Sequence, residues 1–549
     1  MIGRSSPSLS LPAESPVHLP QRAHLRARTF LLLAIATLLP TSLGIAHGQT
    51  APWRSTLYPQ DWRPDQADAE GRFLHDVSYA GYHKGEQPLP TSVPGAIHDV
   101  VTVHGADPSG QTDSTDAIQA TIDAAALAGG GVILLPAGTY KIDGLLTVNA
   151  SGVVLRGEGP TLTRLAFTRH TDMSDKSHLT FRGALQQGPD LALVEDAPSR
   201  AFEVLVADAT SLTPGDDVSL GWVISDAFVA EHGMTGTWQA FNNTWRPFFR
   251  RQVVAVDTGA TPHIVTLDVP LRYPAKLRDS ASLRRETGYL EECGLESLAV
   301  GNAVGWEEAW TNDRAHAILM QGVKDSWIRD VRSFSPPGVA DGYHLQSGGL
   351  QLLSSKRVTV ADTRMQRAQN RGGGGNGYLF EISKSSEILM RDCTGLDGRH
   401  NFIQNWDFGT SGCVFLRCES RGSKTFAGIW DPIGVFAFCD YHHSLARANL
   451  VDSCLLDDGW YAGNRGDEST GAGHTATENV YWNTSGGGMI RSLQYGWGYV
   501  IGLGDNVTNT SLLSPNASGT APEDWVEDQA GPLQPASLYE DQLRRRLDP

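Results

Sequence analysis

The sequence predicts an all-β chain whose short strands stack in parallel as the coils of a solenoid. Apolar strands recur through the second half of the chain, and each ends at one of a column of residues: Val331, Thr363, Cys393, Cys418, Cys454 and Thr484. The steps along this column range from 25 to 36 residues. A repeat of this length cannot bury its apolar side alone, so its copies must stack. The 59 glycines and the charged fraction of 19% also favour short strands and tight turns over long helices.

Residues 1–48 have the pattern of a signal peptide. Three arginines precede an apolar run at residues 30–39, and small residues follow at Ala46-His47-Gly48. The run is too short to span a bilayer, which favours a cleaved signal, and a retained membrane anchor is the alternative. We expect a secreted or periplasmic protein with no membrane span in the mature chain.

Residues 49–94 are rich in Pro, Gly, Trp and Tyr and lack clear periodicity, so we expect an irregular lead-in that packs on the main body. The coils are predicted to begin within residues 95–200. A strand at residues 100–103 leads into a run of turn formers. The helix Thr115–Leu127 follows and is closed by the glycines at 129–131.

Three motifs mark this first block: Gly105-Ala106-Asp107, Pro136-Ala137-Gly138-Thr139-Tyr140 and Leu155-Arg156-Gly157-Glu158-Gly159. With the short helix, they resemble the N-terminal signature of the pectate-lyase-like superfamily of right-handed parallel β-helix proteins. The resemblance implies a right-handed coil whose open end is capped by the helix. It implies a fold rather than one reaction, because the superfamily contains lyases, hydrolases, transferases, tailspikes and proteins that are not enzymes.

Residues 201–285 interrupt the coils and are predicted to form a small inserted β-subdomain of antiparallel strands. Its aromatic and basic residues either contact sugar or pack the insert on the coil: Trp238, Trp245, Phe248, Phe249, Arg246, Arg250 and Arg251. The coils resume over residues 286–512. The tail, residues 513–549, ends in a short amphipathic helix, Leu538–Leu547, expected to dock on the body through its leucines.

The six cysteines do not have the spacing of a zinc site, and no metal site is predicted from them. Side chains stacked on parallel strands stand roughly 4.8 Å apart, whereas a relaxed disulfide needs about 3.8 Å between Cβ atoms. Cys393, Cys418 and Cys454 are therefore expected to stack as buried free thiols. Cys413 and Cys439 are candidates for a disulfide across a corner of the coil.

The main candidate site is a ladder of carboxylates. Glu381 and Asp407 each lie seven residues before an apolar strand, and Trp406-Asp407 recurs 24 residues later as Trp430-Asp431. If the register holds, the three acids stack at roughly the 4.8 Å strand spacing. Carboxylates so paired suit glycoside hydrolysis, and the two tryptophans would offer faces for sugar rings. The alternative is that the acids decorate an outer turn and the tryptophans pack inside.

Further polar residues surround this ladder in the loops. His400 and His443 are candidates for a general base or for orienting a carboxylate, although a single histidine is often a structural hydrogen-bonding residue. Arg399, Trp460 and Arg465 are candidate substrate-binding residues.

The formal net charge of −17 argues against nucleic acid as a partner and against an anionic membrane surface. We expect a polysaccharide or oligosaccharide substrate and favour hydrolysis by paired carboxylates. One alternative is a polysaccharide lyase that acts by β-elimination on a uronate polymer, with His or Arg as the base. The other is a non-catalytic glycan-binding or adhesive β-helix. The hydrolytic mechanism requires no cofactor, and the Asp clusters leave room for calcium. The sequence indicates no oligomeric state.

Overall fold

The computed structural model describes residues 51–429, 434–510 and 524–548. Within them the chain winds as the predicted right-handed parallel β-helix, the hand that connected parallel strands of one sheet adopt. A typical coil runs through the strands Tyr378–Ser383, Leu389–Arg391 and Thr394–Leu396, and the next coil begins at His400–Asn405. Each strand pairs with its counterpart one coil further on, so residues distant in sequence become neighbours.

A 19-stranded sheet supplies two walls of the coil. The longer wall, here called the long wall, consists of Ala96–Asp99, Gly131–Leu135, Val153–Gly157, Leu290–Glu291, Gly294–Gly301, Val323–Ser333, Lys356–Ala361, Leu389–Arg391, Val414–Leu416, Leu450–Asp452, Val480–Trp482, Tyr499–Ile501 and Trp525–Glu527. The shorter wall consists of Gly138–Ile142, Thr163–Phe167, Arg364–Gln366, Thr394–Leu396, Glu419–Arg421 and Leu455–Leu456.

A parallel sheet of ten strands, here called the site sheet, forms the remaining wall. Its strands are Leu146–Val148, Ser177–Arg182, His316–Gln321, Gly348–Leu353, Tyr378–Ser383, His400–Asn405, Cys439–Tyr441, Trp460–Ala462, Met489–Ser492 and Val507–Asn509. Two short pairs lie beside the coils: Lys424–Thr425 with Val435–Phe436, antiparallel, and Ala446–Arg447 with Ala476–Thr477, parallel.

The insert is a separate sheet of seven antiparallel strands, as predicted, but two of its strands lie before the predicted start at residue 201. The strands are Gln186–Gln187, Leu191–Ala192, Glu203–Val206, Asp217–Val223, Trp245–Asp257, His263–Leu267 and Ser282–Thr287. Trp238, Phe248 and Phe249 are buried in its own core, where Trp222 stacks on Phe248 at 3.5 Å between ring centroids. Of the two interpretations of these aromatic residues, packing is therefore the one that the structure supports.

Helices are few and short. The α-helices are Val100–His104, Thr115–Leu127, Asp226–Glu231, Trp306–Ala309, Glu468–Gly471 and Leu538–Leu547. The 3-10 helices are Tyr82–Gly85, Gln239–Phe241, Leu277–Asp279 and Ala340–Gly342. The strand predicted at residues 100–103 is wrong. The Asp99 carboxylate accepts from the amides of Val101 and Thr102, and Gly105 closes the turn at a φ of 73°, so a helix forms there.

The helix Thr115–Leu127 has the predicted bounds and packs Ile118, Ile122 and Ala125 into the core beside the first strands. Its role as an end cap remains a prediction. The lead-in packs Trp53, Tyr58 and Trp62 on the outer face of the long wall.

The C-terminal helix docks on that same face through Leu538, with Leu543 partly buried, but Leu547 is 47% exposed. This outer face of the long wall is thus covered by both ends of the described chain.

All six cysteines are buried free thiols. The stack is confirmed, since the amide of Cys418 lies 3.3 Å from the sulfur of Cys454 one coil further on. The proposed pair of Cys413 and Cys439 is wrong. The Cys413 sulfur faces the carbonyls of Ser385 and Ser411, whereas the Cys439 sulfur contacts the Ser420 hydroxyl.

The predicted signal peptide, residues 1–48, lies outside the described residues. No helix in the described part of the chain has the length and apolar character that crossing a bilayer requires.

Candidate active site

The carboxylate ladder does not form. In the register of the site sheet, Glu381 pairs with Ile403 and Ser383 pairs with Asn405, so Asp407 lies beyond the strand end, past the position level with Glu381. The turns after the two strands differ in length, and counting back from the next apolar strand therefore gave a false register. Trp430 and Asp431, the third step of the ladder, lie outside the described residues.

Asp407 instead anchors the insert to the coil. Its Oδ1 accepts from the amide of Phe408 at 2.7 Å, and its Oδ2 lies 3.4 Å from Arg246 Nη1 and 3.6 Å from Lys384 Nζ. The carboxylate is buried under these groups and does not adjoin Glu381. Asp407 thus forms ion pairs at a junction and does not belong to a ladder with Glu381, and its catalytic role stays a prediction.

Glu381 lies in a cleft of about 250 Å³ on the site sheet, with Trp406 at its edge. Its carboxylate accepts from His316 Nε2 at 3.1 Å, Asn405 Nδ2 at 3.0 Å and Ser383 Oγ at 3.1 Å. Burial opposes ionisation, but these hydrogen bonds outweigh it and lower the pKa of Glu381. The carboxylate is thus held as an anion, in contact with a histidine that the sequence analysis did not select.

A second cleft of about 240 Å³, here called the His442 cleft, opens further along the same sheet. His442 Nδ1 lies 2.5 Å from Asp440 Oδ2, within hydrogen-bonding distance. His442 Nε2 lies 3.5 Å from the Tyr378 hydroxyl and 3.4 Å from Ser469 Oγ. The arrangement presents one imidazole nitrogen to a carboxylate and the other to hydroxyl groups, as a general base requires.

Two guanidinium groups lie at this cleft. Arg465 Nη1 is 2.9 Å from His442 Nδ1 and donates to the His442 carbonyl at 3.0 Å. Arg399 donates to the carbonyl of Gly372 at 2.7 Å and lies with its guanidinium 5.6 Å from the centre of the Tyr378 ring. No carboxylate pairs with Arg399 in the described part of the chain, so its positive charge is available to a ligand.

Burial sets the protonation states in the His442 cleft. It lowers the pKa of His442, an effect that Arg465 and Arg399 reinforce, and with Arg399 it lowers the pKa of His400 to about 3. Both imidazoles are therefore neutral at neutral pH. Burial also raises the pKa of Asp440 and brings that of Tyr378 to about 12, so the phenol keeps its proton.

The register of the site sheet explains this convergence. Tyr378 pairs with His400 on adjacent strands, which brings their rings to 5.3 Å. Ile403 pairs with Glu381 on one side and with Asp440 on the other. Glu381 and Asp440 thus lie at the same level of the site sheet, two strands apart, with roughly 10 Å between their backbones. The two clefts follow one another along the coil axis.

Some of the remaining predicted residues line the His442 cleft and others do not. Arg399, His400 and Arg465 do meet at the His442 cleft. His443 does not line it, because its Nε2 lies 3.0 Å from the Ser469 carbonyl and its ring packs 4.6 Å from Trp406. Both of its ring nitrogens have protein partners, and its role as a base stays a prediction.

Trp460 is also wrongly assigned to substrate binding. It is 1% exposed and packs inside the coil against Phe415 and Tyr441 at 5.0 and 5.4 Å between ring centroids. Alternation along the strand Trp460–Ala462 turns Trp460 inward, and the next residue, Tyr461, lines the cleft in its place.

Sequence reasoning missed Tyr378, Asp440, His442 and His316. The run Cys439-Asp440-Tyr441 carried a usable signal. Cys439 and Tyr441 belong to the coil interior, and alternation then directs Asp440 to the outer face. No sequence signal marked His316, which reaches Glu381 from a strand two coils earlier.

One grouping of potential metal ligands occurs in the described part of the chain: His400, Asp440 and His442, with donor atoms within 4.8 Å of one another. Asp440 Oδ1 is buried and has no hydrogen-bond partner. Two nitrogen donors do not suit calcium, which takes oxygen ligands. Arg399 and Arg465 in the same cleft oppose any cation, and we assign no metal here. The calcium binding that the Asp clusters of the sequence leave possible remains a prediction.

Comparison with known proteins gives a partial match. The family described as rhamnogalacturonase A/epimerase, pectate lyase-like, matches residues 100–232, which include Asp175 and Ser177 of the Glu381 cleft and no residue of the His442 cleft. Alginate lyase 7 of Azotobacter vinelandii is 44% identical over 69 residues, 11% of this chain and 8% of that protein. Mannuronan C5-epimerase AlgE2 of the same organism is 45% identical over 69 residues, 11% of this chain and 7% of the relative.

Each match thus spans less than a tenth of the relative's length. Among solved structures, the tailspike protein gp49 of Pseudomonas phage LKA1 superposes with a TM-score of 0.47 at 13% identity, over 78% of this chain and 69% of that one.

Proposed function

Because the chain belongs to the pectate-lyase-like superfamily of right-handed parallel β-helix proteins, we propose that it is an enzyme acting on an acidic polysaccharide. The reaction that its cleft supports best is removal of the proton beside a uronate carboxylate, followed by β-elimination. This replaces the hydrolysis favoured from the sequence, because the ladder on which hydrolysis depended does not form.

The observation that carries the proposal is the group around His442. A neutral imidazole is held by Asp440 through one nitrogen and approaches the Tyr378 hydroxyl with the other. Arg399 and Arg465 stand at the same cleft. Elimination needs a base, an acid and a positive charge for the carboxylate, and these side chains supply all three.

A uronate carboxylate pairs with Arg399 and Arg465, which stabilises the negative charge that builds up as the adjacent C5–H bond breaks. His442 Nε2 takes the C5 proton. The C4–O bond then breaks with its electron pair on the leaving oxygen, a C4=C5 double bond forms, and the Tyr378 hydroxyl gives that oxygen a proton. If C5 instead regains a proton on its other face, the same site performs epimerisation.

A second candidate, inverting hydrolysis, has its own support. Glu381 and Asp440 are level on strands two apart, near the spacing of about 6.5–9.5 Å between carboxyl groups in inverting enzymes. Their pKa values are shifted in opposite directions, that of Asp440 upward by burial and that of Glu381 downward by its hydrogen bonds, as an acid and a base require.

One experiment separates these reactions. Purified protein is incubated with polymannuronate, polyguluronate, polygalacturonate and neutral glucans while ultraviolet absorbance of unsaturated uronates and reducing ends are both recorded. Elimination yields the two signals together, hydrolysis yields reducing ends alone, and epimerisation changes only the NMR spectrum of the polymer. Binding without any product would leave the non-catalytic alternative and refute the enzyme.

A further inference from the structure

A third cavity lies where three distant segments of the chain meet, away from the site sheet. Its volume is about 920 Å³, against about 240 Å³ for the His442 cleft. The lead-in supplies Trp62 and Tyr79, the insert supplies Phe202, and the C-terminal helix supplies Arg545. Trp62 belongs to the cluster that covers the outer face of the long wall, so this cavity opens on a different side of the coil from the reaction cleft. Its size falls within the range of about 300–1,000 Å³ typical of ligand pockets.

Aromatic rings form much of the cavity wall. Tyr79 and Phe202 meet edge to face at 6.4 Å between ring centroids. Phe202 remains 39% exposed, although the fold buries most rings of its size. The exposed face of this ring belongs to the insert, and the lead-in faces it, so a ligand in the cavity would contact both.

Several charged side chains of the cavity have no ionic partner, and they are of both signs. Arg63, Asp65 and Asp548 have exposed side chains with no hydrogen bond or ion pair to any described residue. Arg200 donates only to the carbonyls of Pro64 and Gln66, at 3.3 and 3.1 Å, and its charge has no carboxylate partner there. Two guanidinium groups and two carboxylates without an ionic partner thus line the cavity, together with the buried carboxylate of Asp76. Of these, the Arg200 guanidinium also lies 4.0 Å from the centre of the Phe73 ring.

The other arginines at the cavity already have acidic partners. Arg272 pairs with Glu387, Arg545 with Asp541, and Arg546 with Glu86. The free charges therefore nearly cancel. Such a set gives no net attraction to an anion or a cation, but it supplies both donors and acceptors to a neutral molecule.

We propose that this cavity is a second binding site, and that it takes a neutral oligosaccharide. A sugar ring has an apolar face that stacks on aromatic rings, and hydroxyl groups that donate to carboxylates and accept from guanidinium groups. The site is independent of the proposed reaction. It would hold a neutral stretch or branch of a glycan while acidic residues occupy the site sheet.

The test is isothermal titration of the purified protein with cellohexaose, mannohexaose, maltohexaose and xylohexaose, with hexamannuronate and myristate as charged probes. At least one neutral hexaose should bind. Phe202→Ala should weaken that binding about tenfold through loss of the stacking face. Arg63→Ala, at an exposed side chain without protein partners, should weaken it about fivefold and leave folding unchanged.

His442→Ala is the matched control, and it should bind the neutral hexaose as the unmodified protein does. If the unmodified protein shows no enzyme activity but binds the neutral hexaose, only the proposed reaction is refuted. The second site is refuted if no neutral hexaose binds, if both cavity variants bind it normally, or if only hexamannuronate or myristate binds in a Phe202-dependent way. Thermal denaturation confirms that each variant is folded.

Discussion

The two clefts of the site sheet are built from similar residues but differ in how their charges are balanced. Around Glu381, Arg314 pairs with Asp175, His316 with Glu381, and Lys384 with Asp407. In the His442 cleft, Arg465 pairs with Glu468, but Arg399 donates only to a backbone carbonyl. Charges that neutralise one another hold the coil and the insert together, whereas an unneutralised charge beside a neutral imidazole is prepared for a charged ligand. This difference is the reason for proposing chemistry at the His442 cleft and a supporting role for the Glu381 cleft.

The largest expected effect separates the two clefts directly. His442→Ala should lower kcat about 10³-fold, because the base that takes the C5 proton is lost. Glu381→Gln keeps the size of the side chain and should retain activity within about tenfold. Initial rates of unsaturated product measure both. Near-complete loss in Glu381→Gln with activity left in His442→Ala would reverse the assignment and favour hydrolysis.

The next effect concerns the arginines. Arg399→Ala should lower kcat/KM on the uronate polymer about 100-fold, since it removes a charge-assisted contact to the substrate carboxylate. Arg314→Ala, which breaks the pair with Asp175, should change kcat/KM less than threefold. Equal losses in the two variants would show that both clefts bind the polymer anion.

Acid should destabilise the His442 cleft. The pKa of His400 in the fold is about 3, below the value of about 6.5 expected when unfolded, so as pH falls below 6.5 the unfolded state binds the proton first. The free energy of unfolding should therefore drop by up to about 1.4 kcal/mol per pH unit from this histidine.

Urea unfolding at pH 7 and pH 5 measures this drop. His400→Gln should reduce it, and the half-exposed His170→Gln should not. An identical drop in all three proteins would show that His400 does not contribute to it.

The smallest effect tests the supporting role. Asp407→Asn removes the ion pairs to Arg246 and Lys384 and should cost about 1 kcal/mol of stability with activity within twofold. Thermal denaturation and the lyase assay report the two quantities. A variant of normal stability but without activity would restore Asp407 to the catalytic machinery.

The fold was largely predictable, because the stacking of the coils follows from the spacing of the apolar strands, which is visible in the sequence. The column through Cys393, Cys418 and Cys454 is a property of the repeat, and the structure keeps it. The strand predicted at residues 100–103 did not form, because apolar residues alone do not distinguish a strand from a short helix. Capping by Asp99 favours the helix.

The site was predictable only in part. Arg399, His400 and Arg465 were predicted from the clustering of polar residues in the loops, because such clusters are unusual between regular strands. Which acid meets which base depends on the lengths of the turns, and this is why Asp407 was placed beside Glu381 by mistake. The prediction that Trp460 binds substrate failed for a different reason. Its side chain points inward because it lies on a strand that the sequence did not reveal.

The column of thiols has a consequence for how the protein is made. All six sulfurs are reduced and buried, and burial raises the pKa of Cys418 well above its usual range, which suppresses the reactive thiolate. Folding therefore requires neither a thiol oxidant nor a disulfide isomerase. A bacterial cytosol should yield the same folded chain as an oxidising compartment, and added reductant should leave its melting temperature unchanged.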